Sequence, residues 1–130
     1  MSTPRSARLV SLLAVFLVCF FIEGSRALEC YDCNSHIDPL CADEIPPESA
    51  KKPCNELPGG SGYTLCRKIE QTIDFSVNDL EPDRRIVRMC GWDESSYSNS
   101  CYEKRPSPGI VQKVCACRYD YCNGGGFSSW

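Results

Sequence analysis

The chain has little of what enzymes commonly use. Its 130 residues include a single histidine, His36, which lies in the polar stretch Asn34–Asp38 and is expected to be an exposed loop residue. No glycine-rich segment is followed by a lysine and a helix that could hold phosphate, and the acidic residues are scattered. The sequence therefore offers no base paired with a nucleophile. We expect no catalytic residue, no cofactor and no enzymatic activity.

Positive charge is also scarce. The chain carries 14 basic and 17 acidic residues, a net charge of −3. A protein that binds nucleic acid usually presents an excess of lysine and arginine to the phosphates. The acidic balance therefore excludes nucleic acid as the expected partner.

The hydrophobic run at the start of the chain is too short for a spanning helix. Arg5 and Arg8 precede 14 mainly apolar residues, Leu9–Ile22, whereas a transmembrane helix needs about 20. Ser25 and Ala27 supply the small residues that signal peptidase prefers. We expect residues 1–27 to be a signal peptide that is removed. Without its three arginines and one glutamate, the remaining chain has 11 basic and 16 acidic residues, a net charge of −5.

Cysteine is the residue that the sequence has in excess. Ten of the 11 cysteines follow the predicted signal peptide. In a reducing compartment, closely spaced pairs such as Cys30 and Cys33 could bind zinc, but a secreted chain is oxidised and this one has a single histidine. We therefore expect five disulfides and no metal, although spacing alone does not choose their pairing. The ten residues are Cys30, Cys33, Cys41, Cys54, Cys66, Cys90, Cys101, Cys115, Cys117 and Cys122.

The segment after Leu65 has the period of two that is typical of a β-strand. Odd positions hold Leu65, Ile69, Ile73, Phe75 and Val77, whereas even positions hold Lys68, Glu70, Thr72, Asp74 and Ser76. This alternation predicts a strand whose odd-numbered face is sheltered. A polar stretch with a proline follows, and Arg84–Cys90 is predicted as the returning strand. A second hairpin is predicted around Pro106–Gly109, and no segment has a helical period, so the fold class is all-β.

The order of the cysteines resembles the three-finger domain of the lymphocyte-antigen and urokinase-receptor (uPAR/Ly-6) family. The resemblance covers Leu28–Asn123, and its most specific part is the closing motif Cys117-x-x-x-x-Cys122-Asn123. Cys115-Ala116-Cys117, where vertebrate members have adjacent cysteines, is similar to the arthropod branch that includes Quiver (Sleepless), Boudin, Crooked and Retroactive. The run Arg85–Cys90 is similar to the residues before the sixth cysteine in that branch.

This resemblance implies a five-disulfide knot with three projecting loops. We call these loops finger one (Cys30–Cys54), finger two (Leu65–Cys90) and finger three (Cys101–Cys115), and we expect finger one to be a loose loop. Residues 124–130 are expected to form a flexible tail. Asn123 is expected to hydrogen-bond the backbone near the knot. The implied disulfides are Cys30–Cys66, Cys33–Cys41, Cys54–Cys90, Cys101–Cys115 and Cys117–Cys122. The inserted Ala116 changes how the last two bridges, which are neighbours, turn away from each other.

The resemblance also implies a function in protein binding. We expect a monomer that binds an extracellular or membrane protein, and that modulates or assists the trafficking of ion channels, acetylcholine receptors or junction proteins. A toxin-like diffusible ligand is a third, less favoured hypothesis. In finger two, apolar residues flanked by acidic ones are the candidate contacts. These candidates are Val77, Asp79, Leu80 and Glu81.

Aromatic residues suggest an alternative function. The rings of Trp92, Tyr97, Tyr102, Tyr119 and Tyr121 could fill a shallow core between the fingers, or could stack on sugars. In the second case the protein would organise chitin in cuticle, as Retroactive is associated with doing, and Trp92 would be a contact.

The last residues bear on localisation. The small residues Asn123–Gly126 suit the attachment site of a glycosylphosphatidylinositol (GPI) anchor, but the required hydrophobic tail does not follow before Trp130. The sequence as it stands predicts a secreted protein. If the natural chain continues beyond Trp130, we expect the same domain on the outer face of the plasma membrane.

Overall fold

The computed structural model describes residue 10 and residues 12–15, 26–74, 82–92 and 99–126. Within them, no helix is long and apolar enough to cross a membrane. The described chain is built mainly from strands, as the sequence predicted. They are β1 (Glu29–Tyr31), β2 (Cys33–Asn34), β3 (Lys51–Pro53), β4 (Leu65–Ile73), β5 (Asp83–Gly91), β6 (Cys101–Ser107) and β7 (Ile110–Cys117). Four 3₁₀ turns, Pro39–Ala42, Glu48–Ala50, Cys54–Glu56 and Gly60–Gly62, lie between them.

The strands form two antiparallel sheets. The larger sheet has the order β2-β5-β4-β7-β6, and the smaller one pairs β1 with β3. Strand β4 lies at the centre of the larger sheet, where Cys66 is opposite Cys90 on one side and Cys117 on the other. The central hairpin is finger two, and β6 with β7 forms finger three.

Five disulfides close the base of the fingers. They join Cys30–Cys66, Cys33–Cys41, Cys54–Cys90, Cys101–Cys115 and Cys117–Cys122, which are the pairs that the family resemblance implies. Cys30 and Cys54 belong to different bridges, yet their sulfurs lie 3.3 Å apart. The centre of the molecule is therefore largely sulfur, which suits a domain too small to bury an extensive carbon core.

Both faces of β4 are partly sheltered, whereas the sequence predicted shelter for the odd-numbered face alone. On the odd-numbered face, Leu65 and Ile73 are buried, as predicted. The even-numbered Lys68 and Glu70 are buried, whereas Ile69 on the odd-numbered face is only half-buried. Across the hairpin, Lys68 is opposite Arg88, which is also buried. The alternation correctly predicted the strand, but it did not predict that the even-numbered face is covered as well. The even face is covered because backbone from finger one and from the residues after Cys122 packs against it.

Finger one is more ordered than a loose loop. The side chain of Asp38 accepts a hydrogen bond from the backbone N–H of Leu40 at 3.1 Å and so caps the turn Pro39–Ala42. Cys41 is buried in its bridge to Cys33, and the N–H of Asp32 donates to the carbonyl of Ala50 at 2.7 Å. Capping, a disulfide and cross-loop hydrogen bonds therefore fix this finger.

Candidate functional site

The residues first suggested as protein contacts lie outside the described part of the chain. Val77, Asp79, Leu80 and Glu81 fall in the gap between residues 74 and 82. At one end of that gap Asp74 is exposed. At the other end Asp83 accepts two hydrogen bonds from the Arg85 guanidinium, at 2.8 and 3.1 Å. Contact through the tip of finger two stays a prediction.

Finger one presents apolar side chains that the sequence analysis did not select. Ile37 is 82% exposed, Ile45 79% and Leu40 53%. Ile37 lies in a turn that begins at Asn34. In this turn the N–H groups of Ile37 and Asp38 both donate to the carbonyl of Asn34. We call Ile37, Leu40 and Ile45 the finger-one surface. The only sequence signal for it was three large aliphatic residues inside an otherwise polar, proline-rich segment.

Trp92, the aromatic residue singled out from the sequence, is on the surface. Its side chain is 69% exposed and tilts against Tyr63, with 5.8 Å between ring centroids. The two rings line a shallow cleft of about 350 Å³ together with Pro58, Gly59 and Gly62. Gly59 has a φ of 107°, and a Cβ there would lie 3.0 Å from the Tyr63 ring, so this cleft requires glycine.

The other predicted aromatic residues divide between core and surface. Tyr119 is 67% exposed, Tyr102 is at the surface and Tyr121 is half-buried beside the buried Tyr31, whose ring centroid is 5.3 Å away. Tyr97 lies outside the described residues. Some of these rings therefore pack in the interior, and others lie on the surface.

His36 is exposed to solvent, as expected for a loop residue. Its side chain is largely exposed, and Nδ1 is 3.8 Å from a carboxylate oxygen of Asp83. The sulfurs of Cys30, Cys54 and Cys90 lie within 4.8 Å of one another, but each belongs to a disulfide. A metal binds thiolate rather than disulfide sulfur, so these atoms do not form a metal site while the bridges are intact.

Buried cations cross-link finger one, finger two and the segment after the knot. Arg88 donates to the carbonyl oxygens of Cys41 at 2.9 Å, Gly125 at 2.7 Å and Asp43 at 3.2 Å, and also to that of Asn123. These backbone acceptors hold a charge that burial would otherwise disfavour, and burial lowers the pKa of the Arg88 guanidinium. Arg88 therefore has a structural role.

A second buried cation lies next to Arg88. The ammonium of Lys68 donates to the carbonyl of Gly126 at 3.0 Å and lies 3.4 Å from the Glu70 carboxylate. Burial lowers the pKa of Lys68, and the Glu70 carboxylate opposes that shift. Glu70 is also 3.8 Å from the Arg84 guanidinium. The Lys68–Glu70 pair is buried, whereas the Arg84 side chain is half exposed.

Asn123 is fully buried next to the knot. Its amide nitrogen donates to the carbonyls of Tyr31 at 2.8 Å and Arg67 at 3.0 Å, and its amide oxygen accepts from the N–H of Tyr31 at 3.0 Å. One side chain therefore joins β1 to β4. This is the position at which a structural hydrogen-bonding role was expected.

Comparison with known proteins agrees with this architecture. Residues 28–123 match the model of the Quiver family u-PAR/Ly-6-like domain. The chain belongs to this Quiver family. It is also similar to the UPAR/Ly6 domain-containing protein crok of Drosophila melanogaster, with 27% identity over an alignment of 126 residues; the alignment covers 88% of this chain and 79% of the relative. The resemblance suggested by the closing Cys117-x-x-x-x-Cys122-Asn123 motif is thereby confirmed.

Membership of the Quiver family gives the general character of the site. A uPAR/Ly-6 domain is an extracellular or membrane-attached binding module, generally without enzymatic activity, whose partners are proteins. The site of such a module is therefore a surface carried by the fingers. Among the described residues, the finger-one surface and the Trp92 cleft are two of the places where large apolar side chains are exposed.

Proposed function

We propose that this protein modulates membrane proteins or assists their trafficking, with ion channels, acetylcholine receptors and junction proteins as the client classes. The observation that carries the proposal is the finger-one surface. Ile37 and Ile45 are more than three-quarters exposed although they lie on a braced loop. Large aliphatic side chains exposed on one loop are a surface feature that protein contacts use.

The bracing of finger one favours binding energetically. Association loses favourable free energy when a loop must become ordered in the complex. Here the Cys33–Cys41 bridge and the Asp38 cap already hold the loop in place. A partner that covers Ile37, Leu40 and Ile45 removes apolar surface from water with little further ordering of finger one.

The experiment measures how client proteins reach the cell surface. Cells that express the protein are depleted of it, and their surface proteins are biotinylated and quantified by mass spectrometry. We expect a restricted set of channels, receptors or junction proteins to decrease, and the natural protein to restore them. Ile37→Asp is expected to fail to restore them, because a charge replaces an apolar contact.

Tyr119→Asp is the matched control. Tyr119 is 67% exposed but lies near the last disulfide, and it receives the same added charge. It should restore surface levels as the natural protein does. Unchanged surface levels after depletion would overturn the proposed function. Equal rescue by both variants would show that the proposed function does not depend on the finger-one surface.

The Trp92 cleft favours an alternative function, the organisation of chitin in cuticle. The exposed indole, supported by the Tyr63 ring, forms an aromatic platform of the kind on which sugar rings stack. Retention on chitin beads tests this alternative, with Trp92→Ala as the variant and Tyr119→Ala as a control of similar exposure. Retention that is lost only with Trp92→Ala supports chitin binding; no retention of the natural protein excludes it.

A further inference from the structure

A groove lies between finger one and strand β5. Its volume is about 390 Å³, within the size range of small-ligand sites. Ala50, Val87 and Met89 form an apolar lining, and Ile37 of the finger-one surface stands at the same groove. Asp32 and Asp38, two acidic residues, also line the groove. The groove thus combines an apolar floor with negative charge.

The backbone around the groove is fixed. Strand β2 pairs with β5 through Cys33 opposite Arg88 and Asn34 opposite Val87. The N–H of Asp32 donates to the carbonyl of Ala50, and the Asp38 carboxylate caps the turn that starts at Pro39. A ligand would therefore meet a preformed groove, which limits the ordering needed on binding.

The groove carries a small net negative charge, because two aspartates and one arginine are among its lining residues. Burial raises the pKa of Asp32, an effect opposed by the charge of Lys52 and by a hydrogen bond from the backbone of Cys90. Arg88 also lines the groove, but its guanidinium donates to four carbonyl oxygens. A carboxylate that has lost part of its water gains most from an added cation.

We propose that this groove binds an arginine side chain of the partner protein, with its methylene stem on Val87 and Met89 and its guanidinium paired with the Asp32 and Asp38 carboxylates. The inference rests on the proposed function, because it names the chemistry of the partner at the edge of the finger-one surface. A partner arginine in this groove would add an electrostatic component to the apolar contact at the finger-one surface.

Arginine fits this groove better than lysine does. The guanidinium is less strongly hydrated than an ammonium and presents several donors in one plane, so it can bind carboxylates while it lies on an apolar surface. Its three-carbon stem covers apolar side chains such as Val87 and Met89. The partner residue should therefore be an arginine next to apolar residues, which would cover Ile37.

The test is a titration of the purified protein, with its disulfides intact and labelled with ¹⁵N, followed by NMR. The probe is N-acetyl-L-arginine methylamide, and the neutral citrulline analogue of the same shape is its control. We expect arginine to shift the amide signals of residues in β2, β5 and the Asn34–Asp38 turn, and the citrulline analogue to shift them far less. The N-acetyl-L-lysine analogue should bind more weakly than the arginine probe.

The variant Asp32→Asn/Asp38→Asn keeps the side-chain shapes and the oxygen that caps the turn, but removes both charges. The dissociation constant for the arginine probe should rise about tenfold or more, since each tenfold change corresponds to about 1.4 kcal/mol. Asp43→Asn/Asp74→Asn, which removes two exposed carboxylates outside the groove, should change it little. Amide spectra of both variants establish that they are folded.

The outcomes separate this inference from the proposed function. No shift with arginine, or equal shifts with the citrulline analogue or in the Asp32→Asn/Asp38→Asn variant, overturns the arginine groove even if Ile37→Asp fails in the surface-delivery experiment. Arginine binding that requires both aspartates supports the groove even if depletion leaves surface proteins unchanged, and in that case only the proposed function falls.

Discussion

The guanidinium of Arg88 donates a hydrogen bond to the backbone carbonyl of Asn123, and both residues are buried. The same guanidinium binds carbonyls of Cys41 and Asp43 in finger one and of Gly125 in the tail. Arg88 therefore joins three parts of the chain that are remote in sequence. The disulfides close the base of the fingers, and this side chain holds finger one and the tail against the sheet.

Replacing Arg88 should destabilise the domain strongly. Arg88→Met would leave four backbone carbonyls without their donor, and we expect the free energy of unfolding to fall by about 3 kcal/mol or more. Urea unfolding with intact disulfides measures the change. Arg105→Met is the control. Arg105 is exposed and pairs at the surface with Glu103, so its replacement should lower the free energy of unfolding by less than about 1 kcal/mol. Equal effects of the two substitutions would contradict the role assigned to Arg88.

Asn123→Ala should also lower stability, since it removes three buried hydrogen bonds with Tyr31 and Arg67. We expect a loss of about 3 kcal/mol in the same assay. Asn123→Asp keeps the size and one acceptor but loses the donor and adds a buried charge, so it should be no better tolerated. Asn55→Ala, at an exposed asparagine, is the matched control. A stable Asn123→Asp variant would show that the amide donor is dispensable.

The buried pair Lys68 and Glu70 allows a double-mutant test. Lys68→Met alone should reduce the free energy of unfolding by about 3 kcal/mol, because the buried Glu70 carboxylate loses its nearest cation. Lys68→Met/Glu70→Leu should recover at least half of that loss, since the buried carboxylate that lost the Lys68 ammonium is then removed too. The single and double variants are compared by urea unfolding. A double variant less stable than Lys68→Met would mean that Glu70 is held mainly by other partners.

Asp32 gives a pH dependence whose sign follows from its surroundings. Burial raises the pKa of Asp32, so the folded protein binds this proton more tightly than the unfolded chain does. The ionised carboxylate therefore opposes folding above the folded pKa, and the penalty fades as pH falls through that pKa towards the unfolded value of 3.8. Asp32→Asn should be more stable than the natural protein at about pH 7, and this advantage should shrink towards about pH 3.

Denaturant midpoints measured across that range test the prediction, with Asp74→Asn as the control for loss of one exposed negative charge. A constant difference between Asp32→Asn and the natural protein at every pH would contradict it. So would lower stability of Asp32→Asn at neutral pH, because it would mean that the charge of Asp32 stabilises the fold.

The strands could be predicted from the sequence because their signals are local. The alternation after Leu65 predicted β4, and the proline and glycine around Pro108-Gly109 predicted the turn between β6 and β7. The cover over the even-numbered face of β4 could not be predicted in this way. Coverage of Lys68 depends on Gly126, 58 residues later, and no period within a strand contains that information.

The candidate site was less predictable than the fold. Ile37 lies among polar residues, and the sequence does not show whether such a side chain turns inward or outward. The structure leaves it exposed because the Asn34 turn and the Cys33–Cys41 bridge set the backbone direction. The groove combines Asp32 with Val87 and Met89, residues that the β2–β5 pairing brings together across more than 50 positions.

A centre made largely of sulfur has an evolutionary consequence. Bridges such as Cys30–Cys66 and Cys54–Cys90 maintain their spacing whatever side chains occupy the fingers. Substitutions in the loops can then accumulate under selection for new partners without loss of the scaffold. Homologues that diverge widely outside the cysteines and Asn123 are the expected result, and the 27% identity to crok is a divergence of this size.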